Sequence, residues 1–304
     1  MAVGSINRAN IAKELLPGLN AIFGVEYGSI DNEHLDLFET DTSERAFEEE
    51  VLFSMFGTAP EKDEGAAVEY DSAQEGYTAR YTHYTIALAF AITEEAMEDN
   101  LYDTFSKVRA KGLGRSMANT TQVNGANVFN NGFSSSYTYG DGQPFFSASH
   151  PTIGAGSQSN TVAADLSESA LESQIIAISL YKDDRGILIG AQPVSLHIPP
   201  QLEFVAERLL KTPGRVSTPN NDINATRSIG YLSKGYFVNH RFTDTNGWFI
   251  KTDVPNGAKY FLRVPVQTQM KEDFSTGNMR YKARKRESFG VSNWRGFAGS
   301  SGSS

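Results

Sequence analysis

Residues 80–132 read RYTHYTIALAFAITEEAMEDNLYDTFSKVRAKGLGRSMANTTQVNGANVFNNG, and their hydrophobic period changes once. From Thr82 to Ile92 large apolar residues alternate with small or polar ones, which is typical of a strand with one buried face. After Thr93, a favourable N-cap, apolar residues recur at helical spacing until the stop signal Asn131-Gly132. These patterns predict a long strand that leads directly into a helix of about 40 residues, about 60 Å long.

Two segments before this helix are predicted to protrude. Residues 1–45 carry an apolar stripe that breaks at Pro17-Gly18 and is too small to form a core, so we expect an extended arm that lies on another surface. Phe47–Phe56 is strand-like, and the polar, acidic residues 57–76 separate it from the long strand. This order predicts a β-hairpin over residues 46–92. A lone hairpin is barely stable in water, so we expect it to pack on a neighbour.

The rest of the chain mixes helices and strands without a βαβ rhythm or an internal repeat. A helix is predicted to begin near Asp165, with Glu168 as its capping-box partner, and a strand follows at Ile187–Ile198. Pro200 is predicted to open the next helix. The final strands are predicted at Tyr236–His240, Trp248–Thr252, Tyr260–Met270 and Asn278–Phe289. The order predicts an α+β fold.

The composition excludes several classes of protein. The chain has 304 residues and no cysteine, which excludes disulfides, thiolate zinc sites and cysteine nucleophiles. Polar residues interrupt the first apolar segment, so neither a signal peptide nor a membrane span is predicted. We therefore expect a folded protein of a reducing cytosol that has no membrane partner.

No group of residues has the spacing of an active site. The five histidines are scattered, and no HExxH or phosphate-binding loop is present. Ser147 and Ser149 lie beside His150 but lack the strand–turn–helix context of a nucleophile, so a structural turn is favoured over a hydrolase. We predict no catalytic residue, no cofactor and no metal site, and therefore no enzyme.

The net charge of −9 is distributed unevenly. Between Asp31 and Glu75 there are 15 acidic residues, whereas residues 271–295 are mainly basic. Two solvated faces would explain this, but the two regions could also meet, within one chain or between copies. The basic residues of the last strand recur at period two and so share one face, where acidic side chains or nucleic-acid phosphates could balance them. The predicted inter-subunit contact joins Glu48, Glu49, Glu50, Glu61, Asp63 and Glu64 to Arg280, Lys282, Arg284 and Arg286.

The chain also resembles a known family, the major capsid proteins of tailed bacteriophages with the Hong Kong 97-type fold, particularly the Mu-like major head subunit group. The resemblance rests on DGQPFFSASHP at 141–151, PPQLEFVAERLL at 199–210 and NNDINA at 220–225. Its most specific part is the closing run that begins DFSTGNMRYKAR at 273 and ends FGVSNWRG at 296.

The resemblance implies a division of the chain into functional parts. Residues 1–45 would be the N-terminal arm, 46–92 the extended loop that overlies a neighbouring subunit, 93–160 the peripheral domain with its spine helix, 161–257 the axial domain, and 258–304 the returning strands of the peripheral domain and the C-terminal tail. A nucleic-acid-binding module has little support, because the chain is acidic and carries no known binding motif.

The resemblance also implies what the protein does. It would be a head protein that self-assembles into hexamers and pentamers of an icosahedral shell around a double-stranded DNA genome. Its partners would be copies of itself and the packaged DNA, bound without sequence specificity, with scaffolding, portal and decoration proteins as further candidates. It would be found in the virion capsid after assembly in the cytoplasm of the bacterial host. The alternative is an encapsulin-like compartment that holds cargo enzymes.

Overall fold

The computed structural model describes residues 8–65, 67–98, 102–214 and 222–302. Its helices are α1 Arg8–Tyr27, α2 His34–Leu37, α3 Glu94–Glu98, α4 Tyr102–Asn130, α5 Glu168–Ser179, α6 Glu203–Lys211 and α7 Ala225–Ile229. Its strands are β1 Glu39–Thr42, β2 Phe47–Phe53, β3 Glu75–Thr82, β4 Tyr84–Ile92, β5 Pro193–Ile198, β6 Tyr236–Val238, β7 Trp248–Thr252, β8 Ala258–Glu272, β9 Met279–Val291 and β10 Phe297–Ser300. The predicted α+β class is confirmed.

Helix α4 is the longest helix that the structure describes. It has 29 residues, which corresponds to about 44 Å. It ends where the sequence predicts, and the amide of Gly132 donates to the carbonyl of Phe129 just beyond the last turn. Thr93 caps α3, because its hydroxyl accepts the amide proton of Ala96 at 3.4 Å. The prediction of one continuous helix depends on residues 99–101, which lie outside the described residues.

The predicted extended conformation is wrong for residues 8–27, which form the helix α1, but the prediction that the apolar stripe lies on another surface is confirmed, because α1 packs along α4. Leu19 and Phe23 are almost fully buried against α4, and burying each such side chain contributes about 1.5–3 kcal/mol. This contribution offsets the cost of about 3 kcal/mol for Pro17 inside the helix, which is why the helix continues where the sequence predicts a break. The two helices approach closely at Gly114, where an added Cβ would lie 2.8 Å from the carbonyl oxygen of Phe23.

One four-stranded sheet has the order β1–β8–β9–β4, and it is called the larger sheet because it contains the two longest strands, β8 and β9. Helices α1 and α4 cover the face that carries Ile86, Phe90 and Tyr281. The predicted long strand is divided at His83, because β3 pairs with β2 whereas β4 pairs with β9. The ring of His83 is buried and hydrogen bonds to Ser43 at 2.8 Å and to Ser288 at 2.9 Å, so it fixes the point where the chain changes sheets. A continuous alternation cannot reveal such a change of partner.

The predicted hairpin is confirmed for residues 47–82, which form the two-stranded sheet β2–β3, but the rest of its predicted range is wrong, because β4 pairs with β9 of the other sheet. The root of the hairpin packs on its own chain. Tyr81 is buried with its ring 4.8 Å from that of Phe261. Glu50 pairs with Lys259 of β8 and also accepts a hydrogen bond from Ser292. The segment between the two strands, residues 54–74, is called the tip below.

A second four-stranded sheet, in the order β10–β7–β5–β6, packs with α5 and α6. Leu171, Ile175 and Ile178 are buried in this core, at the positions that the sequence predicts. The predicted capping box is wrong: Ser167 caps α5 by accepting the amide proton of Ala170 at 3.3 Å. Strand β5 begins six residues later than predicted, because the chain turns through positive φ at Gly186 and Gly190.

Candidate inter-subunit contact surfaces

The basic face is the outward face of β9. Arg280, Lys282 and Arg284 are exposed, whereas the intervening Tyr281 and Ala283 are buried. Their predicted common face is therefore confirmed, and it follows from the two-residue period of the strand. Residues directly opposite on neighbouring strands share a face. The neighbours are exposed Ala87, Ala89 and Ala91 on β4, and exposed Gln267, Gln269 and Lys271 on β8. The cations thus form a ridge on an otherwise uncharged or basic surface.

The ridge is only partly neutralised by its own chain. Arg280 donates to Asp273 at the β8–β9 turn, and hydrogen bonds from Ser275 and Thr276 lower the pKa of the Asp273 carboxyl. Within the described part of the chain, Lys282 and Arg284 have no ion-pair partner. Arg286 is half-buried, and its Nε lacks a hydrogen-bond acceptor. Lys282 and Arg284 are thus unpaired with respect to the described residues and could bind an external anion.

The opposite face of β9 carries a buried ion pair. Lys285 Nζ lies 2.7 Å from Glu287 Oε2, and the same oxygen accepts hydrogen bonds from Tyr260 at 3.0 Å and from Thr121 of α4 at 3.3 Å. Burial, reinforced by the Glu287 carboxylate, raises the pKa of the Tyr260 phenol. Charged groups that are buried need such partners, so this cluster fixes α4 on the sheet.

The acidic residues of the hairpin divide into two groups. At the root, Glu48 accepts a hydrogen bond from Ser43 at 2.7 Å, Glu49 lies 3.7 Å from Arg80, and Glu50 pairs with Lys259. In the tip, Glu61, Asp63 and Glu64 are exposed and have no partner among the residues that the structure describes. No contact between these acids and the basic ridge occurs within the described part of one chain. The inter-subunit contact between them stays a prediction.

The tip also exposes large apolar side chains, which the sequence argument missed by treating the tip as polar. Met55 and Phe56 are exposed, as are Val68 and Tyr70, and Tyr70 is 99% exposed. Exposed apolar groups close together mark interaction surfaces. These apolar residues are visible in the sequence, but the acidic residues beside them make the segment polar when hydropathy is averaged over it.

Among the described residues, one ion pair holds the tip on its own chain. Arg185 Nη2 lies 2.8 and 2.9 Å from the two carboxylate oxygens of Asp71. The amides of Gly57 and Ser72 donate to the same carboxylate at 2.7 and 2.8 Å, and these bonds, more than Arg185, lower the pKa of Asp71. The two partners are 114 residues apart, so no local sequence pattern indicates the pair.

His150 has a structural role, in agreement with the predicted turn. It is fully buried, with its ring nitrogens 2.6 Å from Asp141 and 3.0 Å from Asn160, and it stacks on Trp294 at 4.4 Å. The hydroxyl of Ser147 hydrogen bonds to Gln143 instead of the histidine. This geometry provides no nucleophile–base pair, because the histidine is fully engaged in joining the 141–160 loop to residue 294.

Among the residues that the structure describes, no group of His, Asp or Glu side chains has the arrangement of a metal site. No helix there combines the length and the apolar character needed to cross a membrane.

Comparison with known proteins gives a consistent result. A model of the family described as phage capsid protein matches residues 76–300. The chain is similar to the capsid protein of an empty GTA particle, with a TM-score of 0.57 and 10% identity over 90% of this chain and 91% of that one. It is similar to a virus-like particle from Pyrococcus furiosus, with a TM-score of 0.54 and 10% identity over 93% of this chain and 97% of that one. It is also similar to a procapsid protein of bacteriophage JBD30, with a TM-score of 0.51 and 15% identity over 97% of this chain and 75% of that one. No curated protein matches.

Proposed function

The chain belongs to the phage capsid protein family and is a major capsid protein with the Hong Kong 97-type fold, and from this premise we propose that its copies form an icosahedral shell of hexamers and pentamers around a double-stranded DNA genome. Its place is the virion capsid. We extend the proposal to assembly in the cytoplasm of the bacterial host. Scaffolding, portal and decoration proteins are further proposed partners.

The observation that carries the proposal is the hairpin. Its root is fixed on the subunit through Tyr81 and Glu50, whereas its tip exposes apolar and acidic side chains that have no partner in the described chain. On a monomeric protein such a surface would cause unwanted association, because exposed apolar groups promote contact between molecules. Overlap of the tip with a neighbouring subunit would bury it.

The proposed division into domains is supported by separate hydrophobic cores. One core joins α5, β5, β7 and α6 and lies mainly within residues 161–257, the proposed axial domain. The others join α4 to the larger sheet and to α1. Strand β10 falls in the range 258–304 but pairs with β7 of the second sheet, so the last strand links the two proposed domains.

We also propose that the tip of one subunit meets the basic ridge of another. Glu61, Asp63 and Glu64 carry the negative charges, and Lys282 and Arg284 the positive ones, that have no ion-pair partner among the described residues. Glu48, Glu49 and Glu50 would contribute only to the field around the contact, since each has a partner in its own chain. The competing hypothesis is that the ridge faces packaged DNA, whose phosphates would bind the same cations.

Electron microscopy of the purified protein tests the proposal. We expect closed shells built of hexameric and pentameric rings, together with a rapidly sedimenting species at physiological salt. A folded monomer that persists at high concentration would contradict it.

The encapsulin-like alternative has one supporting observation, the similarity in fold to the Pyrococcus furiosus virus-like particle. The contents of shells isolated from their natural source separate the two functions. Nuclease-protected DNA of genome length supports a viral head, whereas a co-purified enzyme without such DNA supports a compartment.

A further inference from the structure

Asp71 and Arg185 form the only hydrogen-bonded link between the tip and the rest of the chain among the residues that the structure describes. The carboxylate of Asp71 is held in place by the amide of Gly57 from the other side of the tip and by that of Ser72. Asp71 therefore acts as a fixed anion at the end of a long, otherwise unattached element.

Arg185 lies on an equally well-defined turn. The Asp183 carboxylate accepts hydrogen bonds from the amides of Arg185 at 2.9 Å and Ile187 at 2.8 Å. Gly186, with φ +93°, completes the turn. The apolar residues that follow, Ile187, Leu188 and Ile189, are all exposed. We call residues 183–189 the receptor turn.

Within one chain the pair between Asp71 and Arg185 joins the tip to the receptor turn. The other charged residues of the tip are mainly acidic, and Asp183 and Asp184 lie beside Arg185 in the receptor turn. Within the chain the charges pair, yet Met55, Phe56, Val68 and Tyr70 of the tip and the three apolar residues of the receptor turn stay exposed. A contact that satisfies its ions and leaves its apolar groups in water is incomplete, because burial of those groups would supply most of the stabilisation.

We propose that the receptor turn of one subunit binds the tip of a neighbouring copy, so that the pair between Asp71 and Arg185 exchanges from within a chain to between chains when subunits assemble. The pair within one chain holds the tip before assembly, and the pair between chains adds burial of the surrounding apolar residues. The inference rests on the proposed function, and it names the second copy as the occupant because every copy carries both Asp71 and Arg185, so two copies can make between them the pair seen within one chain.

Cross-linking tests the exchange directly, because the chain has no cysteine of its own. Chains with Asp71→Cys are mixed with chains with Arg185→Cys, assembled, and treated with a short bis-maleimide that spans an arginine side chain. On a denaturing gel we expect a covalent dimer from mixed shells. Shells of either variant alone and the unassembled mixture are the controls, and both should give only monomers.

A chain that carries both cysteines tests the contact before assembly. It should form a cross-link within the chain, seen as a monomer of altered mobility, and this species should give way to cross-linked ladders in shells. Mixed shells that yield only monomers would overturn the exchange between chains. Shells of the unmodified chain test the proposed function separately, so intact shells without dimers refute only this inference.

Charge reversal gives a second test that needs no cross-linker. Asp71→Arg and Arg185→Asp should each lower the yield of shells, because like charges would then meet. Mixing the two variants should recover a substantial part of the yield, since the tip of one variant matches the receptor turn of the other. Recovery only when both substitutions are in one chain, or no loss from either variant, would count against the proposal.

Discussion

His197 shows at the scale of one residue how burial couples to pH. The ring lies fully buried in β5, 2.9 Å from the hydroxyl of Ser195, and desolvation lowers its pKa to about 3. Between this pH and 6.5, its ordinary pKa, the unfolded chain binds a proton that the folded chain does not. The free energy of unfolding should therefore fall as the pH falls through this window, by up to about 1.4 kcal/mol per pH unit.

We expect His197→Asn to flatten this dependence while keeping a polar group near Ser195. Denaturant unfolding of the subunit at pH 4, 5, 6 and 7 measures the slope. His34 and His83, whose pKa values burial also lowers, should leave part of it in place. An unchanged slope in the variant would show that His197 is not the group responsible.

Two glycines of α4 offer a matched comparison at the same scale. An added Cβ at Gly114 would lie 2.8 Å from the carbonyl oxygen of Phe23, whereas at Gly112 no atom lies within 4 Å. We expect Gly114→Ala to destabilise the subunit by about 1–3 kcal/mol through overpacking of α1 on α4. Gly112→Ala should stabilise it by about 0.5–1 kcal/mol, because alanine favours the helix. Equal effects in thermal unfolding would contradict the close packing of the two helices.

At the scale of elements, β9 separates a buried ion pair from an exposed ridge of cations. Arg280→Glu with Arg284→Glu should lower the yield of shells without changing thermal unfolding, since exposed pairs contribute only about 0.2–1 kcal/mol each. Glu61→Lys with Glu64→Lys in the same chain should restore part of the yield. The effect should weaken as salt rises, because charges are screened over about 10 Å at 0.1 M. Normal assembly with poor DNA packaging would place the ridge against DNA instead.

The same scale explains what could be predicted from the sequence. The elements β4, β9 and α4 could be predicted, together with their buried faces, because the two-residue period of a strand and the spacing of a helix are local patterns. The helix α1 was not, because Pro17 argues against it and only contact with α4 overrides that preference. The division at His83 and the pair between Asp71 and Arg185 depend on residues far apart in the chain, and no local pattern encodes them.

At the scale of the whole molecule, the residues that stabilise the fold differ from those that we propose to act in assembly. The described residues of the tip contribute to none of the hydrophobic cores, so replacing residues 58–72 with a short Gly-Ser linker should leave the thermal unfolding of the subunit nearly unchanged. It should abolish shells or make them much less stable to heat. Phe274→Ser, which removes an exposed aromatic ring from the β8–β9 turn, is the control. Shells of normal yield and heat stability from the linker variant would show that the tip has no role between subunits.

The position of β10 has a consequence for how the protein is made. Phe297 of this strand is buried among the aromatic rings of Phe129 and Phe145, and the strand pairs with β7. On the ribosome β10 emerges after β1–β9, so the second sheet and the aromatic core that adjoins α4 cannot form before it has been synthesised. A chain that stops before Phe297 cannot complete either. Only subunits that are synthesised beyond Phe297 could therefore join a growing shell, and incompletely translated chains would be excluded from the lattice.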